Sequence, residues 1–266
     1  MTTELTPMTM PVLALRGLTV FPGMLLHFDV GREPSIKALD QSMTTAQPIF
    51  LVTQRDLTEE EPKRADLYDV GTIATVRQIL RLPGDNVRVM VEGTARGRLL
   101  ELITLEPHLT GVVAELVVPE TTGRNTSRTE ALVRQTYELF ERYTELSPKM
   151  TPEVYLKIVS SDDPGYIADY IAQNISMRVE DKQAILEQIR PVRRLELLCR
   201  ILRREVEILE AEEELESKLR DQVAGSQRDY FLREQLKVIR RELGESESGD
   251  DEITEYREKV AAANLP

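Results

Sequence analysis

The chain lacks most of what catalysis, metal binding or membrane insertion would need. It has one cysteine, Cys199, in 266 residues, so no internal disulfide forms and a reducing compartment suits it. Cys199 reads as a small buried apolar residue on a helix rather than a reactive thiol. The only histidines are His27 and His108, too few to make a zinc ligand set with one cysteine, and each reads as a surface or core-edge residue. No Gly-Lys dipeptide occurs anywhere, which removes the phosphate-cradling loop of a nucleotide-driven motor. Long apolar runs are also missing. The stretch VLALRGLTVFPGMLLHFDV is cut by Arg16 and Pro22, so it is neither a membrane span nor a secretory signal, and a cytoplasmic location is expected. Basic residues are in the minority, 34 against 46 acidic for a net charge of −12. Bulk electrostatic attraction to nucleic acid is therefore not expected to drive binding.

What is present suits an α+β protein with two cores. Residues 1–9 are polar and short of core formers, so they are expected to fray. From 10 to 119 the segments MPVLAL, MLLHFDV, PIFLVTQ, TIATVRQILRL, VRVMVEG, RLLELITL and LTGVVAELVV are each bounded by Gly, Pro, Asp or Asn, which predicts a mostly antiparallel, half-buried sheet. Pro83-Gly84-Asp85-Asn86 is the expected turn of a hairpin. A helix is expected from about Glu33 to Thr45, with Pro34 tolerated in its first turn. The carboxylates Glu59, Glu60 and Glu61 precede Pro62 and read as a solvated loop rather than an acid/base pair.

Residues 120–127 form a polar linker, and Ser127 with Glu130 makes a capping box for a helical bundle over 128–191. Thr151-Pro152 and Asp163-Pro164 open further helices within it. No proline interrupts Val192 to Gly244, so this region is expected to be one helix of roughly 53 residues, about 80 Å long. Leu195, Leu198, Leu202, Val206 and Leu209 form a proximal stripe that completes the bundle core. Farther along, Tyr230 with Leu232, Leu236, Ile239 and Leu243 is expected to face another subunit or domain. Between them the acidic run Glu210 to Glu216 reads as a solvated face, and Gly225 weakens the helix by roughly 1 kcal/mol. Residues 245–266 are an acidic flexible stretch and a short helix.

Within this rod, QRDYFLREQLKVIRRELGE resembles the signature stretch of the Lon family of ATP-dependent proteases, of the bacterial soluble type. LTVFPGMLLHFDVGREPSIKALDQSM, DLYDVGTIATVRQILRLPGDNVRVMVEGTARGRL, DPGYIADYIAQN and VEDKQAILEQI are similar to the same family. Pro34, His27 and Phe28 depart from its usual pattern, though in a region where the family has no catalytic motif. The resemblance implies a β-rich fold of the pseudouridine-synthase-and-archaeosine-transglycosylase (PUA) type, then helices and a rod leading toward an ATPase domain. It also implies a parent that is a homohexameric serine protease using a Ser-Lys dyad, ATP and magnesium. All of that chemistry would lie outside these residues, which should hydrolyse neither ATP nor peptide bonds and bind no cofactor.

What remains for this chain is recognition of unfolded or damaged proteins and organisation of the hexamer, with weak dimerisation as an isolated piece. Apolar residues beside turn signals are the candidate client contacts: Phe21 and Pro22, and Leu80, Leu82 and Pro83, with a core or turn role as the plain alternative for each. The competing reading is a self-standing adaptor whose rod is a dimerising coiled coil and whose β-region is a docking module. Nucleic-acid binding would rest on fold analogy alone.

Overall fold

The computed structural model of this chain describes residues 3–4, 6–83, 86–117, 127–147, 152–243, 256–260 and 262. They fall into two compact units, Met1–Leu209 and Glu210–Pro266.

In the first unit, β2 (Met8–Leu15) is buried at every residue from Met10 onward. It lies between β4 (Ile49–Thr53), to which it is parallel, and β7 (Thr110–Val117), to which it is antiparallel. A strand covered on both faces reads as a continuous apolar run rather than an alternation, as PVLAL and IFLVT do. β5 (Val70–Arg81) and β6 (Val87–Thr104) form the long antiparallel hairpin, and β3 (Leu25–Val30) pairs with the first half of β6. β1 (Thr3–Glu4) pairs with β7. The order is β1-β7-β2-β4-β5-β6-β3, and a further pairing of β6 with β7 closes β7, β2, β4, β5 and β6 into a ring. Closure leaves those strands few unpaired edges. α1 (Glu33–Thr45) begins with proline in its first turn and ends at Ala46, in the left-handed conformation at φ 51°. Its Ala38 and Leu39 pack into a cluster with Leu13, Ile49, Leu51, Val76 and Val89.

The bundle helices are α2 (Ser127–Leu146), α3 (Pro152–Val159), α4 (Pro164–Asn174) and α5 (Val179–Glu187), with α3 and α4 beginning at the expected prolines. Asp163 caps α4 by accepting from the Gly165 N–H at 2.8 Å. The long helix, α6, runs without a break over 52 residues, Pro191–Glu242, and residues 256–260 are again helical. Its Leu195, Leu198, Leu202 and Val206 are buried in the bundle core, with Leu209 packed against them.

Four expectations need correction. Residues 1–9 are not all frayed, since Thr3–Glu4 pair with β7 and Met8 and Thr9 belong to β2. The segments VRVMVEG and RLLELITL are one 18-residue strand, β6, because Gly93 and Gly97 continue the ladder where glycine suggested a break. The sheet is mostly antiparallel as expected, with β2 and β4 the one parallel pair among the described strands, but β2 from Met10 onward and all of β4 are buried rather than half-buried. The β-region and the bundle are not separate compact bodies: Phe21, Val70 and Leu116 from the sheet share one buried cluster with Phe140, Ile167, Ile185 and Leu198 from the helices. The expected linker lies mostly outside the described residues.

In the second unit, α6 from Glu210 to Glu242 is exposed at every residue, as is Leu243 just beyond it.

Candidate functional site

One cleft in the first unit joins apolar walls to a fixed cation. Its floor is Val12 and Ala14 of β2, its sides are the start of α1 and residues 60–63, and the β6–β7 connection closes it with Leu105 and Leu109. The volume is about 250 Å³, close to the lower end for small-ligand pockets and suited to one or two side chains. Leu105 and nearby Ile103 are about half exposed, at 52% and 51%, so the apolar surface continues out of the cleft. Arg32 immediately precedes α1 and ties the walls together. Its Nη2 donates to Ala14 O at 2.6 Å and Gln54 Oε1 at 3.0 Å, and its Nη1 donates to Glu60 O at 3.2 Å. Burial, then neighbouring Arg16, pulls the guanidinium below its ordinary value, and Glu60 opposes them. All three of those acceptors are neutral oxygens. The arrangement can take an apolar side chain between walls of mixed charge, Arg32 and Lys63 against Glu60, Glu61 and Glu106.

A second constellation joins the sheet to the bundle. Arg96 on β6 meets both carboxylate oxygens of Asp169 on α4, at 2.7 and 3.0 Å, and donates through Nε to Leu186 O at 2.9 Å. Arg194 on α6 donates to the same carboxylate at 2.8 Å and to Gln188 O and Ile189 O. Burial pushes the Arg194 guanidinium down to about 10, Asp169 opposes that, and Arg96 adds to it. Gln183 donates to Val70 O at 2.8 Å. Side chains this buried, with fixed partners on both sides, make a structural joint rather than an open site.

Phe21 belongs to that joint. Phe21-Pro22-Gly23-Met24 is a tight turn in which the Met24 N–H donates to Phe21 O at 3.2 Å and Gly23 has φ +76°. Proline second and a positive-φ glycine third are the requirements of a type II turn. The turn signal was therefore read correctly, but the inference of exposure was wrong. Phe21 is 0% exposed, covered by the bundle, and is not available to a client. Pro22 is half-buried, and its carbonyl lies 3.5 Å from Gln173 Nε2.

Leu80, Leu82 and Pro83 sit at the far end of the β5–β6 hairpin. Leu80 and Pro83 are exposed and Leu82 is half-buried, and the Leu82 N–H donates to Asn86 O at 2.8 Å. Gly84 and Asp85 of the expected turn lie outside the described residues. Gly93, whose backbone abuts Phe21, is in register with Ala74, so Leu80 is about 20 Å along the strand from the Phe21 turn. The candidates therefore form two separate places, and none of them lines the cleft. Sequence reasoning missed the cleft itself, Arg32 with Val12, Leu105 and Leu109. Its one local signal was the apolar run LITLEPHL ending in a proline turn.

In the second unit, Tyr230, Leu232, Leu236, Ile239 and Leu243 are all at least half exposed. They are not one stripe. At about 100° per residue, Leu232, Leu236, Ile239 and Leu243 span a sector of about 60°, whereas Tyr230 lies about 160° from Leu232. Tyr230 instead shares a sector of about 80° with Leu215, Leu219 and Val223, which are likewise more than half exposed.

A mixed β-ring carrying a helical bundle, with an apolar cleft on the ring, defines the first unit as an α+β domain. The chain belongs to the Lon family: residues 9–204 match the ATP-dependent protease La (LON) substrate-binding domain. It is 42% identical over 257 residues to a Lon protease of Heliobacterium modesticaldum, covering 97% of this chain and 31% of that protein. It is 40% identical over 259 residues to one of Clostridioides difficile, covering 97% and 33%. The chain thus spans about a third of the length of the curated relatives it matches. Among solved structures, the N-terminal domain of a Mycobacterium avium complex Lon protease aligns with TM-score 0.59 at 19% identity, over 73% of this chain and 98% of that one. A Lon N-terminal domain protein from Xanthomonas campestris aligns with TM-score 0.52 at 13% identity, over 72% and 96%. Among the described residues, no helix is long and apolar enough to cross a membrane.

Proposed function

We propose that this chain is the client-recognition region of an ATP-dependent Lon protease acting in the cytoplasm, and that its clients are unfolded or damaged proteins. The motor that uses ATP and magnesium, and the Ser-Lys peptidase centre, belong to other parts of the parent polypeptide. The observation that carries this reading is a coincidence of extents. The substrate-binding family match, residues 9–204, covers almost all of the compact unit Met1–Leu209, and that unit holds the cleft bounded by Arg32 and Leu105.

An unfolded chain differs from a folded one chiefly in its exposed apolar side chains and unpaired backbone. The cleft takes the first, and its mixed rim discriminates little between sequences, which suits weak and promiscuous capture. We also propose that the chain contributes contacts between subunits of a homohexamer, a reading supported by the apolar sectors of α6.

The test is titration of a permanently unfolded, fluorescently labelled protein with the wild-type chain and with Leu105→Asp and Leu82→Asp. Leu105→Asp should weaken binding about tenfold, the scale of one lost apolar anchor, with the melting curve preserved. Unchanged affinity in Leu105→Asp removes the cleft from the site, and a wild-type chain that binds no unfolded protein refutes the reading.

A further inference from the structure

β3 is an edge strand without the usual protection. It ends the strand order of the sheet, and β6 is its only strand partner among the described residues. Exposed edges template the pairing of another chain, and proteins normally blunt them with lysine, proline, bulges or very short strands. The other edges follow that rule. β1 has only two residues, and β5 beyond its pairing with β4 carries Arg77 and Arg81 and a register shift between Val76 and Gln78. β3, Leu25 to Val30, is regular over six paired residues and has neither lysine nor proline. Its one charge, Asp29, is turned back onto β6, where Arg88 holds both carboxylate oxygens at 2.7 and 2.9 Å.

The phase of the ladder fixes which backbone groups face outward. The Gly93 N–H donates to Met24 O and the Leu82 N–H donates to Asn86 O. Hydrogen-bonded pairs alternate along an antiparallel ladder. Counting from either bond in the printed register, Leu26, Phe28 and Val30 bond inward to β6. Leu25, His27 and Asp29 therefore turn their N–H and C=O groups away from the sheet. Leu26 and Phe28 are only half-buried on the core face, and a neighbouring strand would place its own alternate side chains beside them.

We infer that β3 captures an extended segment of an unfolded polypeptide as an added strand of the sheet, with apolar side chains at alternate positions covering Leu26 and Phe28. The occupant follows from the edge itself, since evenly alternating donors and acceptors are matched by an extended backbone. This inference rests on the client-recognition reading and gives it a mode of binding that is blind to most sequence detail, as backbone pairing is.

The probe is a peptide of alternating valine and threonine with terminal lysines, and its analogue N-methylated at consecutive residues so that both of its edges are blocked. Added to the full chain, the unmodified peptide should protect the amides of Leu25, His27 and Asp29 from hydrogen exchange. The methylated peptide should bind at least about tenfold more weakly. His27→Pro removes one outward N–H while sparing the bonds to β6, a position where an edge strand tolerates proline. It should melt like wild type and lose affinity by a similar factor. If that variant misfolds, the two peptides still decide. Equal binding of both peptides, protection confined to the Val12–Leu105 cleft, or a peptide-independent doubling of mass lost in His27→Pro would each overturn the β3 proposal. Capture of the unfolded protein undiminished in His27→Pro would likewise overturn the β3 proposal while leaving the client reading standing. A wild-type chain that captures no unfolded protein refutes both.

Discussion

Arg96 and Asp169, 73 residues apart in sequence, meet through two parallel hydrogen bonds of 2.7 and 3.0 Å, and their side chains are only 8% and 11% exposed. With Arg194 on the other side of the same carboxylate, one anion serves two buried cations. Asp169→Asn keeps the shape but leaves both guanidiniums without a counter-charge. Removing one partner of a buried ion pair costs about 3–5 kcal/mol, and denaturant unfolding should show a loss of that size. A loss below about 1 kcal/mol would mean that the hydrogen bonds to backbone carbonyls hold the joint unaided.

Phe21→Ala should act on stability rather than recognition. The ring fills the shared core between sheet and bundle, so its removal should cost about 3–5 kcal/mol. Under conditions where the variant is still folded, its affinity for an unfolded client should equal that of wild type. A selective loss of affinity in a protein with unchanged melting would restore Phe21 as a contact residue.

Two glycines should respond in opposite directions to alanine. A Cβ at Gly225 meets nothing within 4 Å, so Gly225→Ala should stabilise the distal part of α6 by about 1 kcal/mol, seen as slower amide exchange around residue 225. A Cβ at Gly93 would lie 2.4 Å from Phe21 O. Gly93→Ala must displace backbone at the joint and should lower the melting temperature.

Cys199 should label slowly in the native protein. It is 5% exposed and lies 2.9 Å from the Thr136 hydroxyl. Burial pushes the thiol up, against smaller lowering contributions from Thr136 and Arg203. The thiolate is the reactive form, so a raised value and poor access act together. Reaction with a thiol reagent at mildly alkaline pH should be limited by opening of the bundle and should accelerate in Asp169→Asn. Rapid stoichiometric labelling of the native wild type would contradict the packing.

Much of this architecture is legible in local chemistry. Pro34 in the first turn of α1 and Asp163 before Pro164 of α4 are short-range signals, and both helices start where they indicate. The Pro22-Gly23 turn was legible for the same reason. What covers Phe21 was not, because the covering residues come from helices more than a hundred positions later. Arg96, Asp169 and Arg194 had no local signature either, and each alone reads as an ordinary solvated charge. The cleft escaped notice because β2, α1 and the β6–β7 connection supply it from three distant stretches. Tyr230 does not share the stripe of Leu232, because two residues along a helix point to nearly opposite sides.

Within α6 the burial changes abruptly: Val206 is 6% exposed, whereas every described residue from Glu210 to Leu243 is exposed. A single unbroken helix therefore contains its own perforation line. Brief digestion with trypsin should cut first at Lys218 or Arg220 and trim back toward Leu209, leaving a resistant core that still carries the β-ring, the bundle and any client-binding capacity. Early cuts inside residues 191–206 would show that the start of α6 is not anchored as described.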